Sequence, residues 1–91
     1  MAFHFVYVLQ CSDGTLYTGY TTDVDRRLRQ HNAGKGAKYT RSRAPVRLAF
    51  KERFRRRSDA LRREFQIKRM SRSSKLLLCA RYSSKPGHSP G

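Results

Sequence analysis

From Phe3 to Gln10 the chain is a run of aromatic and β-branched residues without a turn former, which predicts a strand. Ser12-Asp13-Gly14 has turn chemistry, and Thr15 to Tyr20 reads as a second strand. A three-residue hairpin loop, a type I turn closed by Gly14 in the left-handed region, joins the two most naturally. That register would set Cys11 opposite Thr15, Leu9 opposite Tyr17 and Tyr7 opposite Gly19. Tyr7 and Tyr17 would then share a face as diagonal neighbours, with no side chain opposite Tyr7. A two-residue loop would put them on opposite faces.

Thr22 and Asp25 have capping-box spacing, and Asp23 and Asp25 suit the first turn of a helix that Asn32-Ala33-Gly34 ends. Val24 and Leu28 form its apolar stripe, with Arg27 and His31, four apart, beside them. Gly34 to Arg43 is a loop with two glycines and four positive charges, and Ala44-Pro45 leads into a third strand over Val46 to Phe54. Ser58-Asp59 is expected to cap a second helix over 58–70, with Ala60, Leu61, Phe65 and Ile67 facing inward. Ser71 is expected to cap a third, carrying Leu76, Leu77 and Leu78. The order ββαβαα implies an α+β fold, a sheet with helices packed on it, forming one domain over residues 1–82. Residues 83–91, rich in Ser, Pro and Gly, read as a disordered tail.

Composition sharpens this picture. Leu, Ile, Val and Phe make up only 18 of 91 residues, so their patterning argues for a folded core more than their number does. The formal charge of +15 points to a polyanion, nucleic acid before anionic membrane. Residues 1–25 hold no Lys or Arg and carry net −3, whereas residues 26–91 carry net +18. A small site built at the start, with the polyanion held by the basic body of the chain, fits that asymmetry. No apolar run approaches the ~20 residues of a membrane span, and the N-terminus lacks the basic region of a secretory signal. Cys11 and Cys79 make neither a disulfide framework nor a metal-ligand pair and read as reduced, buried thiols of a cytoplasmic protein.

Of the six acids, five have an evident local task in turns, helix starts or a solvated strand face. Glu64 has none. It is either the i,i+4 partner of Lys68 or a carboxylate held at the sheet surface for a divalent cation. Tyr7 and Tyr17 are ordinary sheet tyrosines in one reading and site residues in another. Arg27 could be a solvated helix cation, and His31 a histidine at the negative end of the helix dipole. The Gly34–Arg43 loop lacks the spacing of a P-loop and reads as a flexible backbone clamp. Lys35, Lys38, Arg41, Arg43, Lys68 and Arg72 are the candidate phosphate contacts.

The ordered set Phe5-Val6-Tyr7, Tyr17-Thr18-Gly19, Arg27, His31 and Glu64 resembles a GIY-YIG nuclease domain. Over about residues 3–80 the likeness is closest to the small stand-alone proteins of that family, carried mostly by Thr22–Leu28 and His31–Arg41. The resemblance implies a three-stranded antiparallel sheet flanked by helices and a metal-dependent phosphodiester hydrolase. Glu64 would hold one Mg or Mn ion, Arg27 would stabilise charge on the phosphate, and Tyr17 would act as general base. Tyr7 and His31 would assist by hydrogen bonding or proton transfer. The triads depart from the family pattern as Phe-Val-Tyr and Tyr-Thr-Gly, and no asparagine follows Asn32. The expected function is a structure-selective or weakly selective endonuclease acting as a monomer, on DNA in preference to RNA. The alternatives are a non-catalytic nucleic-acid-binding module and an accessory protein of a repair or ribosomal complex.

Overall fold

A computed structural model describes residues 2–84. The elements follow the order β1 (His4–Gln10), β2 (Leu16–Thr21), α1 (Val24–Asn32), a 3-10 turn (Lys38–Thr40), β3 (Arg47–Phe54), α2 (Arg57–Lys68) and α3 (Arg72–Ser83). They form the expected α+β fold, with a three-stranded antiparallel sheet in the order β2-β1-β3. Helix α3 runs to Ser83, so the chain remains helical one residue into the segment read as a tail. Residues 85–91 of that segment lie outside the described residues.

The hairpin has the register derived from its turn chemistry, with Leu9 opposite Tyr17 and Tyr7 opposite Gly19. Gly14 takes a φ of 83°, and its N–H donates to the Cys11 carbonyl at 3.0 Å. Asp13 Oδ1 holds the turn by accepting from the Thr15 N–H and hydroxyl. As the central strand, β1 is covered on both faces, and its residues Val6 to Leu9 are all buried. Val6 and Val8 pack with Phe50, Ala60 and Ile67 beneath α2 and α3, while Tyr7, Leu9, Cys11 and Val46 form a second core on the α1 side. A register shift in the β1–β3 pairing after Val8 puts Phe50 opposite Val8 and Leu48 opposite Leu9. That irregularity lets Leu48 and Phe50, two positions apart, serve opposite faces.

The helix starts differ from expectation in two places. Asp23, not Thr22, caps α1 by accepting from the Arg26 N–H. Helix α2 begins earlier, with Arg56 at its cap position and no capping side chain, so Ser58 lies inside it. Ser71 caps α3 as expected, accepting from the Ser74 N–H. The inward face of α2 also differs. Ala60 and Ile67 are fully buried, with Arg63 and Glu64 partly covered between them, whereas Leu61 and Phe65 are 37% and 60% exposed. On α3 the covered side chains are Leu78, Cys79 and Tyr82, and Leu76 and Leu77 face outward.

Candidate active site

The hairpin register brings Tyr7 and Tyr17 onto one face with ring centroids 6.4 Å apart. Helix α1 presents His31 to the same place, 6.0 Å from the Tyr7 ring and 5.3 Å from that of Tyr17. Two glycines create the space. A Cβ on Gly19 would lie 2.4 Å from the Tyr7 hydroxyl, and one on Gly36 would lie 2.2 Å from His31 Nδ1. The absence of a side chain opposite Tyr7 is thus a steric requirement, and the second loop glycine serves His31 in the same way.

His31 has no exposed surface, and both ring nitrogens are engaged. Nε2 lies 3.0 Å from the Tyr7 hydroxyl, and Nδ1 lies 2.7 Å from the Thr40 hydroxyl. The Thr40 hydroxyl in turn donates to the Ala37 carbonyl at 3.0 Å. Burial lowers the His31 pKa, and the positive charge of Arg27 lowers it further, so the ring is neutral near pH 7. Burial raises the Tyr7 phenol above its ordinary value; hydrogen bonding to Arg27 opposes that, and the charges on Tyr17 and Glu64 reinforce it. Arg27 donates to Gln30 Oε1 at 3.0 Å one turn along α1, which steadies the guanidinium. Tyr7 and His31 each interact with the other, with Tyr17 and with Arg27.

Glu64 stands on α2, and only its charge links it to this group. Its side chain is 17% exposed, it forms an ion pair with Lys68 at 3.1 Å, and its charge is felt at Tyr7. The i,i+4 pair with Lys68 is therefore present, and the same carboxylate helps raise the Tyr7 phenol. Among the described residues no group of three or more His, Cys, Asp and Glu stands together.

The basic loop is more ordered than a flexible clamp. Lys38–Thr40 form a 3-10 turn that delivers Thr40 beneath His31 and stacks the Tyr39 ring on Tyr17 at 6.0 Å. Arg43 is ion-paired with Asp13 at 3.0 Å, donates to the Tyr39 carbonyl and lies 4.0 Å over the Tyr39 ring. Of the candidate phosphate contacts, Arg43 is thus engaged within the protein, Lys68 faces Glu64, and Arg72 donates to the Gly14 carbonyl at 2.9 Å. Lys35, Lys38 and Arg41 are exposed. Sequence reasoning does not single out Thr40, Gly36, Gln30 or Tyr39. Three of them fall in the glycine-containing loop, but loop composition does not say where that loop folds back.

The GIY-YIG catalytic domain matches residues 3–77 of the chain. A UPF0213 protein of Halobacterium salinarum is 62% identical over 72 residues, covering 79% of this chain and 94% of that protein. A UPF0213 protein of Staphylococcus haemolyticus is 57% identical over 76 residues, covering 84% and 93%. The solution NMR structure of a UPF0213 protein from Bacillus halodurans aligns with a TM-score of 0.59 at 44% identity, covering 96% of this chain and 99% of that one. The matched domain and these relatives show the membership: the chain belongs to the GIY-YIG nuclease family, among its small stand-alone UPF0213 proteins.

Proposed function

We propose that this protein is a divalent-metal-dependent endonuclease that hydrolyses phosphodiester bonds in DNA, with structure selectivity or weak selectivity. The observation that carries the reading is the convergence of Tyr7, Tyr17, His31 and Arg27 in a space kept clear by glycine, with the Glu64 charge acting on the same phenol. A purely electrostatic binder of nucleic acid has no use for a buried, fully hydrogen-bonded histidine beneath paired tyrosines.

GIY-YIG nucleases generally use divalent metal ions, and the donor set here fits a hard, hydrated one. Glu64 offers a single, mostly covered carboxylate whose present partner is already a cation, the Lys68 ammonium. One carboxylate completed by waters and substrate phosphate suits Mg or Mn; it does not suit a cation that needs a closed protein cage. When bound, the ion supplies Lewis-acid stabilisation of the phosphate oxygens. With an ion on Glu64, the Lys68 ammonium that now pairs with it would be free to contact substrate phosphate. Arg27, steadied by Gln30, balances the charge that builds on the phosphorane oxygens. Tyr17, partly exposed, takes the proton of the attacking water as its phenolate, which becomes the phenol. Tyr7 and His31 orient that water from behind.

The test is cleavage of duplex, single-stranded, flapped and branched oligonucleotides, with Mg or Mn and with chelator, by wild type and Glu64→Ala. The expected result is chelator-sensitive cutting by wild type that Glu64→Ala loses while still binding the same oligonucleotides. Equal background in both proteins, with binding retained, would make this a nucleic-acid-binding module without demonstrated chemistry. Preferential cutting of RNA in a parallel panel would overturn the DNA assignment alone.

A further inference from the structure

The hydrogen bonds around His31 have a direction, and the last of them sets it. The Ala37 carbonyl can only accept, so the Thr40 hydroxyl spends its single proton there. At its other contact Thr40 Oγ1 must therefore accept, and the proton on that 2.7 Å bond belongs to His31 Nδ1. A neutral imidazole protonated on Nδ1 leaves Nε2 as an acceptor, so the 3.0 Å bond to Tyr7 is donated by the phenol. Tyr7 then has no proton left for anything else. Its oxygen can only accept from a group entering the site, so it receives a water or hydroxyl proton and cannot hydrogen-bond an ionised phosphate oxygen.

We infer that Thr40 is a positioning residue, which holds His31 in the Nδ1–H tautomer and so makes Tyr7 a hydrogen-bond acceptor toward the attacking water. Thr40 touches no substrate; it acts through two intermediates. Three features combine in it: complete burial, a hydroxyl whose proton is committed to a backbone carbonyl, and the Gly36 position that lets the loop close on the ring. The charged and titratable groups that act on His31 and its partner Tyr7 are Arg27 from α1, Tyr17 from β2 and Glu64 from α2, and none offers Nδ1 an alternative acceptor. The role of the water rests on the proposed nuclease function; the tautomer does not.

The tautomer can be read directly in the 15N-labelled full-length protein near neutral pH, without substrate or metal. The expected spectrum shows the His31 one-bond N–H correlation at Nδ1 and an unprotonated Nε2. Thr40→Val keeps the shape and removes the acceptor. It should lose that preference and lower kcat about tenfold or more at little change in KM, while Thr40→Ser restores both. Protonation at Nε2 in wild type overturns the inference, as does a Thr40→Val protein that keeps both the Nδ1 proton and wild-type turnover. Should Thr40→Val fail to fold, the wild-type spectrum and Thr40→Ser decide. Absence of cleavage by wild type would sink the nuclease reading, whereas the wrong tautomer sinks this one.

Discussion

His31 is buried as a neutral base, and that has a thermodynamic signature. Its pKa in the folded chain is below the unfolded reference value of 6.5, chiefly through desolvation and then through Arg27. Between the two values the unfolded chain binds more protons than the native one, so stability rises with pH there. The contribution is complete above about pH 6.5 and is lost as pH falls through the folded value. Urea midpoints measured from pH 7.5 to pH 5 should decline in wild type, and the decline should be clearly smaller in His31→Gln. Asp13, whose carboxyl is held low by hydrogen bonds from Thr15 and the Arg43 guanidinium, acts in a different window. Its contribution is present above about pH 3.8 and disappears only in stronger acid, so the two effects separate on one titration. At this scale the sequence is most legible where chemistry is local. The pairing of Tyr7 with Gly19 follows from three turn residues. The pairing of His31 with Thr40 depends on how the loop after α1 folds back, and no periodicity reports that.

Among the elements, α2 shows how a weak stripe misleads. Ala60, Leu61, Phe65 and Ile67 fall on one broad apolar arc, and the sequence alone does not say which edge of the arc meets the sheet. The sheet selects Ala60, Arg63, Glu64 and Ile67, spaced i, i+3, i+4 and i+7, and leaves the larger side chains of Leu61 and Phe65 outside. The choice rotates Glu64 inward, where its side chain is mostly covered and its charge is felt at Tyr7, and so bears on the site as well as the core. Ile67→Ala should cost about 2–4 kcal/mol in chemical denaturation, because a fully buried side chain leaves a cavity. Phe65→Ser should stay within about 0.5 kcal/mol of wild type, as expected for an exposed position. Equal losses at both positions would mean that the helix packs on its other edge. The Ser71 cap of α3 is legible because the capping residue and a fresh helix coincide. The α2 start is not, since Ser58 has capping chemistry but the chain is already helical at Arg57.

For the molecule as a whole, charge is unevenly available. Of the six basic candidates for phosphate contact, three already have partners within the protein, namely Arg43, Lys68 and Arg72. Lys35, Lys38 and Arg41 on the loop are exposed, and Arg27, although it donates to Gln30, is the cation held at the site itself, so these four are counted as phosphate contacts. Releasing counterions from about four phosphates gives a slope of roughly −3.6 in log affinity against log salt, or about a 150-fold loss between 50 and 200 mM. Fluorescence anisotropy with a labelled oligonucleotide across that range measures it. A slope near zero would remove nucleic acid as the partner, and a much steeper one would mean that Arg43 and Arg72 let go of their internal partners.

The sheet order carries a further consequence. With β1 in the centre, β3 is an edge strand, and an open edge is a template on which a second copy could pair and seed aggregation. Arg47, Lys51 and Arg53 stand exposed along it, so two such edges repel each other. The positive charge that draws in a polyanion is thus also a guard against self-assembly, and crowding many copies onto one nucleic-acid strand neutralises both functions together.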